Sequence, residues 1–379
     1  MTPLFLYGTL RHAPLLAAVS GDDRLGGEPA TLAGHRVAHA VSLAGEVQNF
    51  PLFSQADGQV ATGLLIRPSG AARTRLDAYE RAFGYDVSTV TVETAQGPVQ
   101  AAIYLPQADL WRAGADWSLA VWQLAHGALT VAVAAEVMAL LAQDAPANIM
   151  ARYTMLEQRV ASRTRAMREP APARLRRLPR QGDVMIEATA RPYSRFFGIE
   201  EATLRFRRFD GTLGPQVERT AFVMADAVTV LPYDARRDRV LVVEQFRFGP
   251  QARGDANPWS LEPIAGRIDP GETPEQTARR ETREEAALDL GPLEPVGRYY
   301  PSPGAVTEYL LSYVGLADLP DEAQGVNGLE AEAEDIRAHV ISYRRLMELV
   351  ESGEVENGPL LLSAFWLARH RTRLRRAAR

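Results

Sequence analysis

Between Gly266 and Leu288 the chain reads GRIDPGETPEQTARRETREEAAL. Gly266 is followed after five residues by Glu272, and after seven more by Arg280-Glu281-Thr282-Arg283-Glu284-Glu285. The second half is rich in Ala, Glu, Arg and Gln, which predicts a helix. Positions three and four apart share a helix face, so Glu281 lies beside Glu284 and Glu285. Like charges at that spacing repel, and helix stability alone gives no reason for them. A hard divalent cation does: Mg2+ takes oxygen ligands, keeps several waters and is shared with substrate phosphates. Pro270-Gly271 predicts a tight turn before Glu272, and Arg280 is placed to pair with one of the acids.

The elements that must position these acids begin near Asp183. Strands are predicted at Val184–Ala188, Glu201–Arg208, Gln216–Met224, Ala227–Pro232 and Val240–Gln245, with turns at Phe209-Asp210-Gly211 and across 234–238. The run Val240–Arg247 is a central strand that delivers Arg247 to its end. Asn257–Ala265 leads straight into the acidic stretch. From Ser342 to Arg379 the pattern is helical, with Leu346, Leu349 and Val350 on one stripe and Leu360–Leu367, including Trp366, on another. Such stripes are read as core.

The acid spacing resembles the Nudix box, G-x5-E-x7-R-E-U-x-E-E-x-G-U, with every charged position matched. Thr282 stands where an aliphatic residue is usual, and Ala287 replaces the last Gly. Neither is a metal ligand in the family. Ala287 costs about 1 kcal/mol if the turn after the helix needs positive φ. From Arg191-Pro-Tyr-Ser-Arg-Phe-Phe197 to the end, the chain further resembles the ADP-ribose pyrophosphatase branch. That likeness rests on Glu244-Gln-Phe-Arg247, Pro258-Trp259, Glu262-Pro-Ile-Ala-Gly266, the acidic loop Gly328–Arg337, and Pro303, sixteen positions past Ala287.

This resemblance implies an α/β/α sandwich that hydrolyses ADP-ribose to AMP and ribose 5-phosphate with Mg2+, or Mn2+ in its place. It implies that the Ala265 carbonyl, Glu281, Glu285 and Glu334 hold the metal, with Glu284 supporting catalysis from the same helix face. It makes Glu332 the general base on the attacking water and Arg247 a phosphate ligand. Phe196 and Arg219 would clamp the adenine across a homodimer built through this domain, and Glu308 would hydrogen-bond the terminal ribose. Other nucleoside diphosphate sugars stay open as substrates. So does a non-catalytic ADP-ribose sensor, although such sensors lose box acids and gain a DNA-binding segment. Here the acids are intact and no helix-turn-helix is read.

A second set of candidates lies at the other end. Residues 3–7, PLFLY, predict a buried strand entering a Gly turn at Gly8-Thr9-Leu10-Arg11. Short strands follow at His35–Ala40, Gln59–Ile66, Val87–Glu93 and Val99–Tyr104, with a helix at Gly70–Arg81. Many short strands with few helices predict a small mixed barrel. Phe5–Arg11 and Leu76-Asp77-Ala78-Tyr79-Glu80 resemble the γ-glutamylcyclotransferase-like fold. The resemblance implies that Tyr7, Gly8, Thr9 and Leu10 cradle a substrate through backbone amides. It also implies that Glu80 is a general acid/base and that Tyr85 is its companion. An inactive barrel with Glu80 as an exposed helix-end acid is the alternative.

Asp116–Met167 predicts two helices broken near Ala145-Pro146-Ala147, followed by the Pro/Arg-rich connector 169–182. The expected organisation is an α/β (α+β) chain: a cyclotransferase-like barrel at 1–112, a helical connector and linker at 113–180, and a Nudix domain at 181–379. The whole resembles fusion proteins associated with tellurite resistance. A net charge of −5 argues against a general nucleic-acid binder. There is no Cys, which excludes disulfides and thiolate metal sites. There is also no Lys, which excludes Schiff-base chemistry and a phosphate-binding lysine loop. Leu119–Ala142 is apolar and long enough for a bilayer, but Gln123, His126, Thr130 and Glu136 are costly in lipid. It is read as a buried amphipathic helix, with no membrane contact. MTPLFLYGTLR lacks the basic start of a signal peptide, so a cytoplasmic location is expected.

Overall fold

The computed structural model describes residues 2–107, 110–142, 149–170, 172–327 and 335–378. Two units divide the chain, 1–160 and 161–379, with the boundary inside a helix (Tyr153–Arg168).

In the first unit, β1 (Leu4–Leu6) pairs antiparallel with β3 (Val47–Ile66) and parallel with β5 (Gly97–Pro106). The order continues through β4 (Tyr85–Thr94) to β2 (Gly27–Val41), which pairs back onto β3. That pairing closes a five-stranded barrel, and closure removes exposed strand edges. A short β6 (Arg112–Asp116) adds to β2. Strands β2 and β3 run far beyond the segments predicted at 35–40 and 59–66. Their length is set by successive partners around the barrel, which local alternation does not reveal. The pleat sorts β1: Phe5 and Tyr7 join the barrel interior with Phe53, Leu65 and Ile103, while Leu4 and Leu6 face the helices.

Those helices are α1 (Ala13–Ser20), α2 (Gly70–Ala82), the short α3 (Leu119–Trp122) and α4 (Ala128–Leu141). Leu15, Val19, Leu76, Val133 and Val137 share one core. The Ser69 hydroxyl caps α2 by accepting from the Ala72 N–H at 3.2 Å. Residues 119–141 form one helical run, long and apolar enough by composition to cross a membrane. It is buried along one face only, through Trp122, Val133, Val137 and Leu140, while Val121 and Leu124 are exposed. The expected buried helix is therefore corrected to a half-buried one: its breadth of apolar residues exceeds the face that the barrel covers. Helix α5 (Tyr153–Arg168) follows, and the Pro/Arg-rich segment after it is exposed with no regular element among its described residues.

The second unit opens with an antiparallel sheet of β7 (Val184–Ser194), β8 (Gly198–Phe206) and β9 (Val217–Val223). Next come β10 (Ala227–Asp234), β11 (Arg239–Phe246), α6 (Phe248–Arg253), β12 (Trp259–Glu262), β13 (Ile264–Arg267) and α7 (Pro274–Ala286). Then follow β14 (Leu293–Tyr299), β15 (Leu310–Leu316), β16 (Gly325–Asn327), β17 (Ile336–Ser342), α8 (Tyr343–Ser352) and α9 (Gly358–Ala377). The main sheet is ordered β14-β15-β10-β11-β17-β16, with β12 on β11 and β13 on β10. Central β10 is buried along its whole length. Its Val228 and Val230 pack with Ala278 and Ala286 of α7, while Leu231 and Tyr233 pack with Leu346 of α8 and Leu360 of α9. The sheet thus carries helices on both faces, an α/β/α sandwich.

Candidate active site

Helix α7 begins with a capping box. Thr273 Oγ accepts from the Gln276 N–H at 3.2 Å, and the Gln276 side chain accepts from the Thr273 N–H at 2.8 Å. Pro274 takes the first helical position, where its missing N–H costs nothing. The helix ends at Ala287 in the left-handed region, φ 50°, the conformation that a Gly at this place would adopt freely. Between these ends Arg280 gathers the acids. Its Nε and Nη2 donate to the two Glu272 oxygens at 3.0 Å each, and its Nη1 donates to Glu281 at 2.8 Å and Glu284 at 2.9 Å. Burial alone would raise the Glu272 carboxyl, but hydrogen bonds from Arg280 and Thr277 outweigh it and hold the group below its usual range. Glu285 is turned inward and only 3% exposed.

Strand β13 faces this helix. A Cβ placed on Gly266 would lie 1.9 Å from the Glu281 carboxyl carbon. Only a glycine therefore lets that carboxylate sit directly over the strand beside Ala265. The donor set offered here, carboxylates plus a strand carbonyl, is all hard oxygen and suits a divalent cation of the Mg2+ class. Among the described residues, however, no three His, Asp or Glu are grouped closely enough to hold a metal ion. Arg280 binds Glu281 and Glu284, and Glu332 and Glu334 lie outside the described residues.

A second group adjoins β13. Arg267 follows Ala265 by two and so points to the same side of the strand. Its guanidinium lies over the Phe196 ring, 4.7 Å from the centroid, and Phe196 meets Phe197 edge-on at 4.7 Å. Phe196 is 59% exposed. The Glu308 carboxyl is pushed up by burial, against the opposing pull of Arg267 and Arg247. Arg247 stands at the end of β11 as expected, where its Nε and Nη2 grip the two Glu262 oxygens at 3.0 and 2.8 Å. Arg219 lies on exposed β9 and donates to the Glu218 carbonyl at 2.8 Å. Arg267 was not among the predicted site residues, although its two-residue offset from Ala265 is a signal a reader of strands could have used.

The first unit holds a cavity of about 500 Å³. Tyr7, Gly8, Thr9, Leu10, Glu80 and Tyr85 all line it, so both predicted motifs meet there. The backbone turns from β1 into a short 3-10 turn at Thr9–Arg11. A Cβ on Gly8 would approach a Pro51 ring carbon to 2.9 Å, which calls for Gly at this close approach. Burial raises the Glu80 carboxyl to about 8. Tyr7 and Tyr85 are raised too, by burial first; Tyr85 and then Glu80 add to the shift of Tyr7, and Glu80 to that of Tyr85. Glu80 is therefore an inward-facing acid and not an exposed helix-end acid. Glu157 of α5 also lines the cavity, a residue that nothing in the local sequence marks.

A carboxylate-bearing helix after a glycine strand, within an α/β/α sandwich, defines a class, and the comparisons place the chain in it. Residues 224–361 match the NUDIX domain family, and residues 4–119 match the family described as gamma-glutamyl cyclotransferase, AIG2-like. The ADP-ribose pyrophosphatase of Escherichia coli (strain K12) is 36% identical over 195 residues, 52% of this chain and 92% of that protein. The ADP-ribose pyrophosphatase of Haemophilus influenzae is 32% identical, covering 49% of this chain and 87% of its own. The GDP-mannose pyrophosphatase of Salmonella arizonae is 29% identical, covering 44% and 85%. The chain belongs to the Nudix family: it is a hydrolase that joins an AIG2-like cyclotransferase domain to a Nudix domain. Nudix hydrolases generally use divalent metal ions.

Proposed function

We propose that the second unit hydrolyses the diphosphate of ADP-ribose, giving AMP and ribose 5-phosphate in the presence of Mg2+. The observation that carries this reading is the meeting, along β13, of the α7 carboxylates with the Phe196–Arg267 pair. One end suits a metal-bound diphosphate, the other an aromatic ring and a ribose. Glu281, Glu285, the Ala265 carbonyl and Glu334 would hold the metal, with Glu284 supporting them. Bound divalent ions would neutralise the diphosphate and lower the pKa of a coordinated water. Glu332 would take the proton of the attacking water as its oxygen bonds to one phosphorus and the bridging oxygen leaves with the other. Arg247, its plane held by Glu262, would donate to phosphate. Phe196 would stack on adenine, joined by Arg219 across a homodimer. A solution mass of twice 41.6 kDa is the expected sign of that dimer.

The test is a panel of nucleoside diphosphate sugars with Mg2+ or Mn2+, run on wild type and Glu285→Gln. AMP from ADP-ribose, abolished in the variant, is expected. Faster turnover of GDP-mannose would overturn the substrate assignment, because a relative bears that name. A cytoplasmic location fits such a metabolite substrate, and the tellurite-resistance likeness adds a stress setting without a mechanism.

The cavity of the first unit favours a second activity. There Glu80 would shuttle a proton while an α-amine attacks a γ-glutamyl carbonyl and the leaving amine departs, releasing 5-oxoproline. Release of 5-oxoproline from γ-glutamyl compounds, lost in Glu80→Gln, is the expected result. Its absence across a broad panel would leave this unit as scaffold.

A further inference from the structure

The cavity of the first unit is not built from residues 4–119 alone. Trp122, Thr130, Met150, Tyr153, Thr154 and Glu157 complete its wall, and all lie beyond the stretch that matches the cyclotransferase family. The start of α5 is seated firmly. Ile149, Leu156 and Val160 are buried in the helical core. The Tyr153 ring meets Phe83 edge-on at 5.2 Å, and Phe83 meets Tyr79 in the same way at 5.0 Å. The Tyr153 hydroxyl is raised by burial first, and then by its neighbours Tyr79 and Glu157. The Tyr79 hydroxyl lies within the electrostatic reach of both Glu80 and Glu157. Two carboxyl groups from different helices therefore share one chamber.

The rest of the lining decides what that chamber can hold. It contains Tyr, Trp and Phe rings and several uncharged polar groups, and no Arg or His among the described lining residues. The chain has no Lys at all. An anionic ligand would find no cationic side chain here, and any carboxylate it carried would depend on backbone N–H groups. A protonated amine would find a carboxylate together with aromatic faces, both of which favour cations.

We infer that Glu157, carried in by the appended helix, is a specificity-determining residue that binds a protonated aliphatic amine in this cavity, at a point apart from Glu80. The matching ligand class is a small molecule with two separated amine nitrogens, one directed toward Glu80 and one held by Glu157. This assignment rests on the cavity and does not require the cyclotransferase reaction to occur.

Calorimetric titration of the full chain tests it with three probes of similar length: 1,4-diaminobutane, butylamine and glutarate. Wild type is expected to bind the diamine more tightly than the monoamine and to show no glutarate binding. Glu157→Gln keeps the size and the hydrogen-bonding capacity of the side chain. It should weaken the diamine about tenfold, as loss of a charge-assisted hydrogen bond does, and bring it level with butylamine. Glu285→Gln in the second unit should leave all three affinities unchanged. Equal diamine affinity in wild type and Glu157→Gln, or glutarate binding as tightly as the diamine, would overturn the inference. Circular dichroism of Glu157→Gln separates misfolding from lost recognition. If the variant unfolds, Glu157→Asp replaces it, expected to keep the preference for diamine over monoamine at reduced affinity. Failure of 5-oxoproline release alongside intact diamine binding would sink the reaction and leave this site standing.

Discussion

At the scale of single residues, the site is organised by one absent side chain and one guanidinium. Gly266 lacks the Cβ that would overlap the Glu281 carboxylate. Gly266→Ala is expected to displace that carboxylate by an ångström or so and to cut hydrolysis roughly 100-fold, with the fold intact by circular dichroism. Steady-state rates near wild type would contradict this placement. Arg280 holds Glu272, Glu281 and Glu284 together. Replacing it with Gln leaves three acids facing one another, at an expected cost of roughly 1–3 kcal/mol. Added divalent cation should recover more thermal stability in this variant than in wild type, because ligand binding to the folded state stabilises it. Equal metal-induced shifts in the two proteins would show that Arg280 does not compete for the metal's carboxylates.

At the scale of elements, α7 is held by its two ends and its tertiary seat. Thr273→Ala removes the capping box and is expected to destabilise the second unit by about 1 kcal/mol, read as a lower unfolding midpoint in urea. Ala287→Gly acts in the opposite direction. The residue sits at φ 50°, where Gly pays no Cβ penalty, so about 1 kcal/mol of stabilisation is expected. An unchanged or lower midpoint would mean that the helix ends differently. The departure from the Nudix pattern at Ala287 therefore reads as tolerated strain, with the helix stop preserved. Thr282, the other departure, is fully buried and donates to the Ala278 carbonyl at 2.7 Å. Its hydroxyl is satisfied within the helix, so a polar residue is accommodated where an aliphatic one is usual.

At the scale of the whole molecule, one buried acid of the first unit ties stability to pH. Glu80 is held near 8 by burial, while an unfolded chain releases that proton near 4.5. Between those values the folded state keeps a proton that the unfolded state has lost, so this group's contribution favours folding at low pH and declines as pH rises through 8. Glu80→Gln removes that dependence. Relative to wild type, its calorimetric transition for the first unit should gain a few degrees at pH 8 over its difference at pH 4.5. Parallel pH profiles for the two proteins would show that Glu80 is not buried as an acid.

By itself the sequence determined what depends on spacing along one element. It placed the α7 acids on one face, Arg247 at a strand end, the α/β/α and barrel classes, and the families that carry them. Such features follow from the periods of helix and strand and need no knowledge of what packs where. Only the tertiary structure decided which distant residues meet. It set Arg267 over Phe196, brought Arg280 among three acids at once, committed the Arg247 fork to Glu262, and carried Glu157 into a chamber with Glu80. It also left one face of the 119–141 helix exposed. The Arg280 cluster is local, its partners one, four and eight positions away; the other meetings join separate elements, and packing that no local pattern encodes sets where they fall.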